Sequence, residues 1–473
     1  MKPTCRMLLI EDDHNEAVAI ETECCPDAQS VAIEVVNNGA QAEDALSDGE
    51  YDLIICDLAL PSDERRFEPD TAEGMRLFAL IREQSQGTPV IVLSGHADLD
   101  MMPTFLKASR DADLYGLGTE DALVQFYPKE RLPDCVEAVR SHIARLEGLD
   151  RVQIELTGGR ALSLSEERAL RIFGRRTGAA RGVVEPLDGG LSDSRTLRVS
   201  YTDVDGASTG VVVVKLGSLK RVTRESSRYE KLAPLLPAGL CAPQLFVVQA
   251  GAGRRGALVY QLADADTRSL FEAIVAGDAG AVVATERLGR KMREWTADAP
   301  LASRSLAEIR RPLVSDLHLR AASAPEFDER GIEIETRETT IHGDLHGLNV
   351  LVDQNDEPTL IDYGEVRRAN AGLDPVTLEL CIVFHPAIAG KLGEWPTVAQ
   401  AEHWDELDVY CEGCPAESFV RTCRAWAQEV SAGEREMHAS AYAYSMRQLK
   451  YGGTATPLAV AIARRAYSQL RPA

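Results

Sequence analysis

Three things are scarce in this chain: positive charge, patterned cysteine and long apolar runs. Lys and Arg number 51 against 74 Asp and Glu, a formal net charge of −23, with acidic residues spread over the whole length. No basic stripe interrupts them, which excludes a nucleic-acid partner as far as charge can tell. No apolar stretch approaches the roughly 18 residues a membrane helix needs, so no membrane span is expected. Met1-Lys2-Pro3-Thr4-Cys5-Arg6 runs straight into a strand and lacks the apolar core and cleavage site of a signal peptide. The ten cysteines follow no disulfide spacing, which suits a reducing cytoplasm. Cys411-Glu412-Gly413-Cys414 has metal-like spacing but no second pair, and is read as incidental. What is present is ample for folding: 473 residues, 45% of them hydrophobic, enough for two or three domains.

Strand and helix patterns alternate from the start. Met7 to Ile10, Val31 to Val36, Leu53 to Cys56, Val90 to Leu93 and Leu123 to Tyr127 are apolar runs, with helical stretches such as Ala40 to Ser47 and Leu132 to Leu146 between them. Continuous apolar strands separated by helices predict a parallel sheet covered on both faces. Functional groups in such a sheet collect beyond the carboxyl ends of the strands. Asp12, Asp13, Asp57, Ser94 and Lys129 all fall there. Crowded carboxylates raise one another's pKa unless a cation sits among them, and Mg²⁺ with the Lys129 ammonium would supply that charge. The pattern resembles the receiver domain of two-component response regulators over residues 1–147. The resemblance implies a flavodoxin-like, doubly wound sheet of order 2-1-3-4-5. It also implies Asp57 as phosphoacceptor, Asp12 and Asp13 as Mg²⁺ ligands, Lys129 on the phosphoryl group, and Ser94 and Phe126 as the switch pair. The implied phosphodonor is a sensor histidine kinase or phosphotransfer protein. Two features depart from the pattern. Pro128 precedes the lysine where a proline usually follows it, and Ser62 to Asp70 form a polar insert placed to gate access to Asp57.

Residues 148–185 read as a connector. Val152 to Leu156 alternate like an edge strand, Thr157-Gly158-Gly159 is a turn, and Ser163-x-x-Glu166 has the form of a capping box opening a helix through Phe173. Arg171, Arg175, Arg176 and Arg181 form a basic cluster. A solvated face, a surface for the acidic receiver and a homodimer contact are all compatible with it.

Residues 186–473 are organised around Thr339 to Val366. Asn349-Val350-Leu351-Val352 and Thr359-Leu360-Ile361 flank the turn-forming string Gln354 to Pro358, a hairpin signature. Antiparallel pairing would bring Asn349 and Asp362 to one end of the hairpin, near Asp344. Phosphoryl transfer needs such an arrangement, because its chemistry is mostly positioning and charge neutralisation. His342-Gly343-Asp344-Leu345-His346-Gly347-Leu348-Asn349 with Ile361-Asp362-Tyr363-Gly364 resembles the aminoglycoside-phosphotransferase and choline-kinase-like branch of the protein-kinase fold. That resemblance implies an α+β bilobal fold, with an N-lobe over 186–262 and a C-lobe over 263–473. It implies Asp344 as catalytic base, Asn349 and Asp362 on Mg²⁺, and ATP as phosphoryl donor.

Upstream, Gly189, Gly190 and Ser192 lie in a small polar loop suited to phosphate oxygens, and Lys215 closes a β-branched strand as a nucleotide-binding lysine does. Glu225 and Glu230 both follow in a helical stretch, the spacing favouring Glu225 as the partner of Lys215. Five antiparallel strands are expected in this lobe, and mostly helix beyond Thr267. Asp374 falls in a Gly-x-Asp-Pro string, and Glu379 stands where the branch often has a second Asp. With no Ala-Pro-Glu activation segment, a small-molecule hydroxyl is favoured as acceptor. A nucleotide-binding pseudokinase acting as an adaptor, and a protein kinase, are the alternatives.

Overall fold

Alternate residues of the receiver strands go to opposite faces of one sheet, and the central strands are buried on both. In the computed structural model, which describes residues 3–24, 30–63, 70–95, 110–187, 194–237, 239–262, 266–296, 298–453 and 456–471, strands β1 (Cys5–Ile10), β2 (Val31–Val36), β3 (Leu53–Cys56), β4 (Val90–Ser94) and β5 (Val124–Pro128) pair in parallel. Their order is β2-β1-β3-β4-β5, as expected. Met7, Leu9, Leu53, Ile55, Ile91 and Leu93 enter one core, while Leu8, Ile10, Ile54, Cys56, Val90 and Val92 enter the other. Helices α1 (His14–Cys24), α2 (Gly39–Asp48), α3 (Thr71–Gln84) and α4 (Leu132–Asp150) accompany the sheet. Asn38 caps α2 and Asp70 caps α3, each accepting a backbone N–H of the first turn. Gly74 lets α3 lie against the chain leaving β3, since a Cβ there would meet the Leu58 carbonyl at 2.1 Å. Of the polar insert, residues 64–69 lie outside the described residues.

Contacts divide the chain into two compact units. The first is Met1–Pro186 with Ser192–Thr223 and Gln244–Gln261; the second is Leu187–Leu191 with Arg224–Pro243 and Leu262–Ala473. The first unit therefore carries the receiver sheet and a second sheet together. That second sheet contains β6 (Gln153–Leu156), β7 (Arg181–Pro186), β8 (Arg195–Thr202), β9 (Ser208–Ser218), β10 (Gln244–Val248) and β11 (Arg255–Gln261). Its order is β10-β11-β9-β8-β7-β6, antiparallel except for the parallel β6–β7 pair. Four of these strands, β8 to β11, fall within the expected lobe of 186–262, and β6 and β7 come from the span read as connector.

Helix α5 (Leu164–Arg176) joins the two sheets. Its capping box is formed: Ser163 Oγ accepts the Glu166 N–H, and Glu166 accepts the Ser163 N–H. Ala169, Leu170, Ile172 and Phe173 belong to the same buried cluster as Met7 and Leu9 of the receiver and Tyr201, Val212 and Val259 of the second sheet. Arg168, 1% exposed, donates from Nε to Asp52 Oδ1 at 2.9 Å, from Nη1 to Asp150 Oδ1 at 2.7 Å, and from Nη2 to the Thr4 carbonyl. On the same helix Glu166 holds Arg195 at 3.1 Å and Arg255 at 3.0 Å. Arg171 bonds Asp150 at 2.6 Å and Arg176 bonds Asp113 at 3.1 Å, whereas Arg181 pairs with Glu155 on the neighbouring strand. The basic cluster is thus divided between receiver docking and the sheet surface. Backbone contact completes the joint: Gly87 N–H donates to the Gly253 carbonyl at 3.0 Å, and Gly251 N–H donates to the Gly87 carbonyl at 2.8 Å. Gly116, at φ +68, lies so close that a Cβ would sit 2.0 Å from the Ile172 carbonyl.

Helix α6 (Leu219–Leu232) begins in the first unit and ends in the second. In the second unit β15 (Val350–Val352) and β16 (Pro358–Leu360) form the expected hairpin, extended by the short strand β12 (Arg268–Ser269). A further sheet of β13 (Leu301–Ser305), β14 (Glu333–Ile341) and β17 (Arg367–Asn370) interrupts what the sequence reads as mostly helix. Around them lie α7 (Gly280–Thr296), α8 (Leu373–Phe384), α9 (Glu417–Val430), α10 (Glu434–Gln448) and α11 (Thr456–Ser468). Glu379, buried on α8, is held bidentately by Arg424 of α9 at 2.8 Å and accepts the Trp404 indole N–H at 2.7 Å, which makes it a fixture of the helical core.

Candidate functional site

At the carboxyl end of the receiver sheet, Asp57 directly follows β3 and is 3% exposed. Its Oδ1 accepts the N–H groups of Leu58 at 2.6 Å and Ala59 at 3.2 Å, and its Oδ2 lies 2.8 Å from Lys129 Nζ. Lys129 also contacts Glu11 at 3.0 Å and Glu16. Burial pulls the Lys129 pKa down, but the carboxylates of Asp57, Glu16 and Glu11 outweigh it and the net shift is upward. Ser94, the last residue of β4, is fully buried, and Phe126 is partly buried on β5 against the Leu8–Ile54 core.

Oxygen atoms of Glu11, Asp12 and Asp57 lie within 4.8 Å of one another. Such a cluster of hard donors fits Mg²⁺. Burial first, then repulsion from Asp57, pushes the Glu11 carboxyl up to about 7 against the pull of Lys129, and burial also raises Asp12. A cation placed among them would relieve that cost.

Asp13 does not join the cluster, contrary to expectation. Its Oδ1 accepts the Asn15 N–H at 2.8 Å and the Glu16 N–H at 3.2 Å, so it serves the start of α1. The acidic pair is Glu11 and Asp12. The signal for this was legible: Glu11 is the first residue beyond β1, just as Asp57 is the first beyond β3.

In the second unit, the loop from His342 to Asn349 is fixed from below by Asp374. That carboxylate accepts the His342 N–H at 2.7 Å and the Gly343 N–H at 2.9 Å. His342 Nε2 donates to the Ile361 carbonyl at 2.9 Å, tying the loop to the hairpin. Asn349 sits just before β15, and the Ile361 N–H bonds its carbonyl at 3.1 Å, so Asn349 and Asp362 share one hairpin end. The Asn349 amide nitrogen donates to the Asp344 carbonyl at 2.9 Å and lies 3.2 Å from His346 Nε2. Asp362 is held at φ +67, a region that costs a non-glycine residue energy. Tyr363 is buried behind it, its hydroxyl donating to the Leu360 carbonyl at 2.5 Å and accepting the Ala242 N–H at 3.0 Å.

Asp344 itself is engaged. Its Oδ1 lies 2.9 Å from Nη2 of Arg447, and its Oδ2 lies 3.8 Å from His346 Nε2. Burial pushes its pKa up, but Arg447 and then His346 pull it well below the usual carboxylate range. No sequence signal pointed to Arg447, which is 103 positions further along the chain.

Of the residues expected at a nucleotide site, Lys215 lies on β9 and is buried. On α6, Glu225 is buried and Glu230 exposed; Glu225 Oε2 would lie 3.5 Å from a Cβ on Gly364. Gly189, Gly190 and Ser192 lie outside the described residues.

The receiver geometry defines a class, and comparison agrees: residues 8–114 match the response regulator receiver domain. Among solved structures the chain is similar to the receiver domain of Francisella response regulator 1452, at 22% identity over 30% of this chain and 98% of that one, with a TM-score of 0.22. It is also similar to a CheY-like receiver domain protein from Methanospirillum hungatei JF-1, at 17% identity over 30% and 97%, TM-score 0.23. A response regulator from Thermotoga maritima gives 21% identity over 30% and 99%, TM-score 0.23. No curated protein matches. The matched segment stops before β5 and Lys129, which the sheet topology supplies. Among the described residues, no helix is long and apolar enough to cross a membrane.

Proposed function

We propose that the chain is a cytoplasmic response regulator in which phosphorylation of Asp57 controls an ATP-dependent phosphotransferase built from residues 186–473 and acting on a small-molecule hydroxyl. The Asp57 carboxylate carries the first half of this reading. Two backbone N–H groups hold one oxygen while Lys129 faces the other, beside a carboxylate cluster sized for a hard cation. An Asp57 oxygen attacks the phosphorus of a phosphohistidine on a sensor kinase or phosphotransfer protein. The O–P bond forms as the N–P bond breaks, and the imidazole nitrogen leaves with the electron pair. Lys129 steadies the charge on the phosphoryl oxygens, and Ser94 and Phe126 respond to the new group. Bound Mg²⁺ would supply charge neutralisation on the same oxygens.

The loop from His342 to Asn349 and the hairpin end at Asp362 support the second half. Asp344 would accept the proton of the acceptor hydroxyl, Asn349 and Asp362 would hold Mg²⁺, and Lys215 would serve as the nucleotide-binding lysine. A binding-only adaptor is the second reading, favoured by the Arg447 contact that already occupies Asp344.

The test is a metabolite screen for ATP consumption with and without beryllofluoride on Asp57. Consumption that changes with beryllofluoride and is abolished in Asp344→Ala is expected. Equal consumption in Asp344→Ala and wild type would leave only the adaptor.

A further inference from the structure

We propose that the acceptor alcohol at Asp344 is itself an anion, bearing a carboxylate or phosphate, and that Arg447 recognises it. The inference rests on the phosphotransfer reading above and names the substrate class for that site. A group that is to take a hydroxyl proton must present an oxygen lone pair to the hydroxyl. Asp344 Oδ1 faces Arg447 Nη2 at 2.9 Å, and Oδ2, with His346 Nε2 at 3.8 Å, is the oxygen left to face the hydroxyl. A neutral alcohol brings nothing for the guanidinium beside that oxygen, and a charge-assisted hydrogen bond is among the stronger kinds. A cationic alcohol adds like charge beside the arginine. An alcohol with its own anion gives Arg447 a second partner, because the planar fork of guanidinium N–H groups matches carboxylate or phosphate with two bonds. The hydroxyl of the same molecule can then reach Asp344 Oδ2.

A second observation points the same way. The Arg367 guanidinium lies against the same loop: a Cβ on Gly343 would meet its Nη1 at 2.6 Å. Nη1 donates to the Glu365 carbonyl at 3.0 Å, but the buried Nε has no hydrogen-bond partner. Asp374 of α8, the carboxylate beneath this loop, already accepts the two backbone N–H groups of His342 and Gly343. The Glu365 carboxylate stands 3.8 Å from Arg367 and is 56% exposed. Two guanidinium groups, Arg367 and Arg447, therefore border the loop. Arg447 and Asp344 are 19% and 25% exposed, so a solute can reach both.

The test uses the full chain with Mg²⁺ and γ-labelled ATP against four alcohols: glycerol, choline, D-glycerate and sn-glycerol 3-phosphate. Transfer to an acidic alcohol in preference to glycerol and choline is expected. Arg447→Gln should raise the KM for the acidic alcohol by about 10- to 100-fold, well beyond any change in the KM for ATP, and Arg447→Lys should restore part of it. Preference for choline or glycerol overturns the proposal, as does an acidic-alcohol KM unmoved by Arg447→Gln. Calorimetric titration of the same four compounds into the nucleotide-loaded chain separates the failures. Arg447-dependent binding of an acidic alcohol without transfer removes the phosphotransfer reading and supports anion recognition; binding of neither acidic alcohol removes the present inference.

Discussion

Asp57, Glu11 and Asp13 show how one position along a strand decides a side chain's work. Asp57 and Glu11 leave their strands at the same level and meet; Asp13, two residues further on, turns back to the first turn of α1. Asp57→Asn is expected to abolish the acyl phosphate formed from acetyl phosphate, read as a lost mobility shift on a phosphate-affinity gel. Glu11→Gln should weaken Mg²⁺ binding at least about 10-fold by titration calorimetry, while Asp13→Asn, whose amide oxygen can still cap the helix, should leave it near the wild-type value.

A second residue-scale prediction concerns His142. Burial pulls its pKa down to about 4, and its neutral ring is fully bonded, with Nδ1 facing the Tyr115 hydroxyl and Nε2 donating to the Asp52 carbonyl at 3.2 Å. The unfolded chain takes up this proton near pH 6.5 and the folded chain only near pH 4, so stability falls as pH drops through that window, by at most about 3 kcal/mol from this group. Urea unfolding at pH 7, 5.5 and 4.5 should show that slope, and His142→Gln should reduce it; an unchanged slope would contradict this account.

At the scale of elements, α5 matters most. Its start was legible in Ser163 and Glu166, because a capping box is local and its partners are three residues apart. The role of Arg168 was not legible, because Asp52 and Thr4 are more than a hundred positions away and nothing in Arg168's neighbourhood distinguishes it from Arg171. The β13–β14–β17 sheet was missed for a related reason. Glu333 to Ile341 holds only two apolar residues, Ile334 and Ile341, and its strand character rests on partners at 301–305 and 367–370 rather than on an apolar run. The β15–β16 hairpin was legible because both strands and the turn are contiguous. Arg168→Ala leaves Asp52 buried without its partner and should cost about 3–5 kcal/mol of stability in denaturant titration. Replacing both Arg168 and Asp52 should cost much less than the sum of the single changes.

For the molecule as a whole, the receiver and the six-stranded sheet share one core through α5, and each backbone approaches the other at Gly87, Gly251 and Gly253. They should therefore open together. Beryllofluoride with Mg²⁺ at 100 times its dissociation constant should add about 2.7 kcal/mol to the unit that binds it. Hydrogen exchange is expected to slow in β8, β9 and β11 as well as in β1 to β5. Slowing confined to the receiver strands would show that the two sheets unfold separately.

The receiver is gripped at Thr4, Asp52 and Gly87, before the starts of β1, β3 and β4, whereas Asp57 and Ser94 stand at the far ends of those strands, roughly 15 Å away. A phosphodonor can therefore approach without prising the joint apart. The same arrangement makes this receiver a poor candidate for domain shuffling: a foreign one grafted in its place would lack the footing for Arg168. New upstream partners would have to be acquired by point changes around the rim of Asp57, leaving the anchored base untouched.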